Sequence, residues 1–127
     1  MLDNLYIVKN KQIEGTTARF EISFNSEHPI YAAHFPSNPI TPGVCLINIC
    51  KELTESVLEK SLLLQIVKNV KFLQLINPNE NPNVSVQISI AKNEFEYKIN
   101  ASICGANESV FAKLSLVFQS INADVNG

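Results

Sequence analysis

Four stretches of this chain alternate apolar and polar residues with the two-residue period of a strand that has one covered face. They are Phe20, Ile22 and Phe24; Val84, Val86, Ile88 and Ile90; Phe95, Tyr97, Ile99, Ala101 and Ile103; and Val110, Ala112, Leu114, Leu116 and Phe118. Between the last two, "CGANES" offers Gly105 and Asn107 for a hairpin turn. "LQIVKNVKFLQL" mixes strand and helix signals. Its β-branched residues and the following "NPNENPN" predict a long strand. "LYIVK" predicts a short first strand.

One segment reads as a helix. Thr41 is a candidate N-cap and Pro42 suits the first helical position, ahead of "GVCLINICKELTESVLEK". Leu46, Ile49, Cys50, Leu53 and Val57 fall on one helical stripe, with Lys51, Glu52, Glu55 and Glu59 opposite. From Val44 to Cys50 all residues but Asn48 are apolar, so the start of this helix is expected to be wrapped on every side. Two strands, one mostly buried helix and four more strands predict an α+β fold, a curved antiparallel sheet around one long helix.

The 127 residues fit one domain spanning 1–127, with about 121–127 expected to fray. A charged fraction of 17% is low and suggests surface covered in an oligomer. A net charge of −2 without a lysine-arginine run argues against nucleic acid as partner. There is no apolar run long enough for a membrane span and no visible secretion signal, so a cytoplasmic location is expected. Cys45, Cys50 and Cys104 form no CxxC pair and no metal spacing with His28 or His34. They read as buried thiols, with a reactive Cys45 near a helix start as the alternative.

The chemistry concentrates in "AHFPSNPITPGVCLIN", residues 33–48. Pro36, Pro39 and Pro42 each fix φ and restrict the residue before them, so the loop holding His34 loses little entropy on folding. His34 either orders this loop or acts as a base. Gly43 brings an unpaired helix-start N–H within reach of a ligand oxygen. An imidazole beside such a donor suits proton abstraction next to a carbonyl. Asn48 either bonds a neighbouring backbone group or aims its amide at a ligand. His28 reads as a loop or strand-end residue. Arg19, Lys68 and Lys71 could form a cationic patch.

"HFPSNPITPGVCLIN" resembles the "HFPGxPxxPGVxxxE" signature of the β-hydroxyacyl-acyl carrier protein dehydratases, members of the hot-dog superfamily. His34, Phe35, Pro36, Pro39, Pro42, Gly43 and Val44 match at unchanged spacing. The resemblance implies a hot-dog fold of about six strands around a central helix. It also implies dimers joined edge to edge, sometimes trimers of dimers, and an acyl substrate on the phosphopantetheine of acyl carrier protein, with no metal or nucleotide. By that analogy His34 takes the α-proton of a 3-hydroxyacyl thioester and the Gly43 N–H binds its carbonyl. Phe35, Pro42, Val44 and Leu46 would lie along the substrate, Val44 and Leu46 lining an acyl tunnel.

The match breaks at Asn48, where the family has the Glu or Asp that handles the departing hydroxyl. Four consequences are open. Asn48 could orient water or the hydroxyl while His34 shuttles the proton, with Glu52, expected to be exposed, helping through water. A carboxylate-bearing paralogue could complete the site in a heterodimer. The chain could hydrolyse thioesters. It could bind acyl chains or serve as a structural subunit without chemistry. Ala33 and Ser37 also replace two glycines usual in the family.

Overall fold

The computed structural model describes residues 3–33 and 37–121. Six strands appear, in chain order β1 (Tyr6–Glu14), β2 (Thr17–Phe24), β3 (Leu62–Phe72), β4 (Asn83–Lys92), β5 (Glu96–Cys104) and β6 (Val110–Ser120). Two helices, α1 (Pro29–Ala33) and α2 (Gly43–Leu58), lie between β2 and β3. The strands form one sheet in the order β1-β2-β4-β5-β6-β3, and every pair is antiparallel. β1 and β3 therefore carry the free edges.

The period-two patterns become the inner face of this sheet. Phe20 and Ile22 of β2 stand in register with Val86 and Val84 of β4. Val86, Ile88 and Ile90 in turn face Ile103, Ala101 and Ile99 of β5. These side chains pack against Cys45, Leu46, Ile49, Cys50 and Leu53 from one side of α2. Burying such a side chain contributes roughly 1.5–3 kcal/mol, so this single contact between sheet and helix carries the fold.

Several boundaries differ from expectation. β1 runs to Glu14, because Gly15 turns the chain at φ 62° and lets β1 pair along the whole of β2. β5 begins at Glu96, leaving Phe95 exposed. α1 was not legible, since its five residues are too few to show a helical period.

The wrapped start of α2 is also corrected. Val44 is 69% exposed, and Ile47 and Asn48 are only half-buried. The sheet covers one side of α2, and the described residues leave the start of the other side open. The far end of α2 is fastened by the chain itself. Glu59, in the left-handed conformation, donates its N–H to the Glu55 carbonyl at 2.7 Å. The Glu55 carboxylate accepts from the Leu62 N–H at 2.8 Å.

Candidate active site

The start of α2 is built differently from the prediction. The N-cap is Pro42, not Thr41, and no side chain caps the helix. The Pro42 carbonyl accepts from the N–H groups of Cys45 (3.0 Å) and Leu46 (3.3 Å). The N–H groups of Gly43 and Val44 have no partner among the described residues. A helix start leaves such donors open to a ligand oxygen, and the helix dipole favours negative charge there.

Thr41 has another task. Its N–H donates to the Ile76 carbonyl at 2.9 Å, and its hydroxyl is hydrogen-bonded to the Tyr31 hydroxyl at 2.8 Å. Both side chains are buried. This bond joins α1 to the start of α2. It closes the base of the segment 32–40, which includes His34. His34, Phe35 and Pro36, the first three residues of the motif, lie outside the described residues, as do 122–127 of the tail 121–127 that was expected to fray.

Phe72, at the end of β3, roofs the helix start. A methyl group added to Gly43 would come within 2.6 Å of its Cζ and 2.8 Å of its Cε2. Any side chain here would have to push the Phe72 ring aside. The ring is itself 49% exposed, and the apolar side chains of Val44, Leu73 and Leu75 are exposed as well.

Val44 and Leu46 do not line a common channel within this chain. Leu46 is buried toward the sheet, whereas Val44 faces outward. Positions two apart on a helix lie far round from one another. Asn48 lies one turn beyond Val44 on the outward side. Its amide makes no hydrogen bond to any described residue, so the backbone-bonded reading finds no support among them. Glu52, one further turn along, is half-buried rather than exposed. Its Oε1 accepts a 2.9 Å bond from the Tyr6 hydroxyl at the start of β1.

Burial pushes the Cys45 thiol above its ordinary range and raises Cys50 to about 12, so both remain protonated thiols near neutral pH. This counts against a reactive Cys45. His28 has a structural role: its Nδ1 accepts from the Ile30 N–H at 3.0 Å, which leaves Nε2–H to donate to the Asp3 carbonyl at 3.0 Å. The cationic patch does not form. Arg19 pairs with Glu21 at 3.0 Å and reaches Glu108 at 3.9 Å, and three strands separate it from Lys68 and Lys71 on β3. A polar hollow of about 380 Å³ on the outer sheet face, lined by Asn69, Gln87, Ser89, Asn100 and Lys113, shares no residue with this site. Among the described residues, no helix is long and apolar enough to cross a membrane, and no three potential ligands converge as a metal site.

A sequence profile described as ApeI-like, ApeI dehydratase, matches residues 10–112. The chain belongs to the ApeI-like dehydratase family. It is 30% identical over 108 residues to a 3-hydroxyacyl-[acyl-carrier-protein] dehydratase, FabZ, of Wolbachia pipientis wMel, covering 78% of this chain and 73% of that one. Among solved structures it is similar to the dehydratase heterocomplex ApeI:P of Xenorhabdus doucetiae. That match has a TM-score of 0.73 and 16% identity, covering 89% of this chain and 96% of the other. A putative thioesterase, yhdA, of Lactococcus lactis shares the fold at a TM-score of 0.67 and 14% identity, covering 95% and 96%. These likenesses establish the hot-dog fold. The motif runs from position 34 through the first turn of α2 to Asn48. That turn holds the open N–H donors, and Asn48 stands one turn along on the uncovered side.

Sequence reasoning missed three residues at this site. Tyr31 sits in a helix too short to detect. Tyr6 reaches Glu52 across 46 positions. Phe72 read only as part of a strand, although an aromatic at a strand end followed by a proline-asparagine breaker was a usable signal for a loop-facing ring.

Proposed function

We propose that this chain removes water from 3-hydroxyacyl thioesters carried on acyl carrier protein. His34 takes the α-proton, and the Gly43 N–H receives the thioester oxygen as negative charge develops. The electrons left behind form the Cα–Cβ double bond, and the C–O bond to the 3-hydroxyl breaks. The observation that carries this reading is the uncapped start of α2 with two open donors, which in sequence closely follows the motif histidine. Preorganised donors of this kind are worth about 10²–10³ in rate.

The working unit is an oligomer. Asn48 faces away from its own sheet, so its amide serves a neighbouring chain. β3 has a free edge with Leu63, Ile66 and Val67 exposed, and Phe72 at its end and Val44 on α2 are exposed too. Pairing through that edge would bring two α2 helices together on their open sides. Substrate and product stay on the carrier arm, and the reaction needs no metal or nucleotide.

A second arrangement is favoured by Asn48 itself and by the heterocomplex formed by the Xenorhabdus dehydratase. Here a paralogous chain supplies the carboxylate that Asn48 cannot. General-acid assistance is worth about 10²–10⁴ in rate, or about 3–5 kcal/mol.

The test compares wild type, His34→Ala and Asn48→Glu on a 3-hydroxyacyl carrier-protein substrate, following the 2-enoyl product. His34→Ala is expected to abolish turnover, and undiminished activity in that variant would refute the reading. Release of a free acid in place of the enoyl thioester would assign hydrolysis instead.

A further inference from the structure

If the chain dehydrates, the departing hydroxyl still needs a proton, and an amide at position 48 has none to give. The remaining carboxylates of α2 differ sharply in availability. Glu55 is spent on the Leu62 N–H at the fastened end of the helix. Glu59 forms the exposed cap. Glu52 lies one turn from Asn48, and side chains at that spacing are neighbours, with Cβ atoms about 5–6 Å apart. Helical side chains lean toward the N-terminus, which tilts Glu52 toward Asn48 and the open donors.

Glu52 is also held rather than free. It is half-buried, and one of its oxygens is fixed by Tyr6 at 2.9 Å. The other oxygen has no partner among the described residues, and no lysine or arginine there forms an ion pair with Glu52. Burial, followed by the bond to Glu52, pushes the Tyr6 hydroxyl well above its ordinary range, so it stays a donor. Tyr6 thus fixes one carboxylate oxygen and leaves the other facing away from any described partner, open to a bridging water.

We infer that Glu52, oriented by Tyr6, is the proton relay that replaces the absent acid, acting through one water held beside the Asn48 amide. The inference rests on the dehydratase reading above. The imidazole gains the α-proton, the imidazolium hands a proton through solvent to the Glu52 carboxylate, and Glu52 passes it across the bridging water to the departing oxygen as the C–O bond breaks, so the oxygen leaves as water. Imidazole and Glu52 carboxylate then both stand as they began. Because Glu52 shares the outward side of α2 with Asn48, it serves the same reacting centre as Asn48.

The test measures turnover and urea midpoint for wild type, Glu52→Gln, Tyr6→Phe and the double variant Glu52→Gln/Asn48→Glu, on a 3-hydroxyacyl carrier-protein substrate. The amide introduced by Glu52→Gln still offers an oxygen to Tyr6, so the midpoint is expected to hold while turnover falls about 100-fold. Restoring a carboxylate at position 48 in that background is expected to bring turnover back to within about tenfold of wild type, a rescue that a structural role would not produce. Tyr6→Phe is expected to lose about tenfold through disordered orientation. Glu52→Gln turnover within about threefold of wild type overturns the inference, as does a loss that tracks a collapsed urea transition. A chain that makes no enoyl product alone, but does so with a carboxylate-bearing hot-dog partner, also overturns it and leaves the dehydratase reading standing. No enoyl product in either arm overturns both.

Discussion

Replacing Tyr31 by Phe deletes one hydroxyl and leaves the Thr41 Oγ1, in a side chain only 4% exposed, without its 2.8 Å partner. A buried polar group stranded in this way costs about 1–3 kcal/mol. Thr41→Val strands the Tyr31 hydroxyl in the same manner, at similar cost. The double variant removes both polar atoms and keeps the shapes, so it strands nothing and should lose less than about 1 kcal/mol. The two single costs therefore cannot add, and a double-mutant cycle should give a coupling of about 1–2 kcal/mol. Urea unfolding reads this directly. With a slope of about 1–3 kcal/mol per M, each single variant should shift the midpoint by roughly 1 M, and the double variant by far less. Turnover should follow stability of the segment 32–40 and fall several-fold in each single variant. Additive stabilities in the double variant would refute the idea that this bond closes the base of the motif loop.

Gly43→Ala should lower turnover by about 10²–10³ by displacing the Phe72 ring across the open N–H. Its urea stability should stay within about 1 kcal/mol, because the helix preference of alanine offsets the ring's movement. Ile66→Lys, on the free β3 edge, should lower the sedimentation mass by breaking the pairing between chains. The raised Cys50 pKa means that the folded chain keeps its thiol proton after the unfolded chain has lost it. Stability should be full below about pH 9 and fall as pH climbs toward about 12, by up to about 1.4 kcal/mol per pH unit. The fall across that range should be shallower in Cys50→Ala, with Tyr6, Tyr31 and Cys45, also raised by burial, keeping a residual slope.

Much of the fold was legible because its elements are bound by single-period patterns. Phe20 and Ile22, Val84 to Ile88, and Ala112 to Phe118 showed which side of each strand is covered, and the structure buries those sides. Local chemistry was less reliable where a tertiary contact overrides it. Thr41 has the residue type of an N-cap, yet its hydroxyl is drawn to Tyr31, and the cap shifts to Pro42. The apolar run from Val44 suggested a wrapped helix, but an apolar surface is equally consistent with contact to another chain. Sequence pattern cannot separate these two cases. The Tyr6–Glu52 contact spans two elements and has no local signature.

The two ends of α2 are held unequally. Its far end is pinned by Glu59 and by the tie from Glu55 to Leu62, while its near end keeps open bonding capacity. A rod fixed at one end cannot slide to meet a bulkier guest. Any broadening of substrate range must therefore come from the parts that frame its free tip, the proline loop and the turn after β3. The scaffold separates an unvarying electrostatic anchor from adjustable walls, and engineers seeking altered selectivity should diversify the walls and leave the anchor intact.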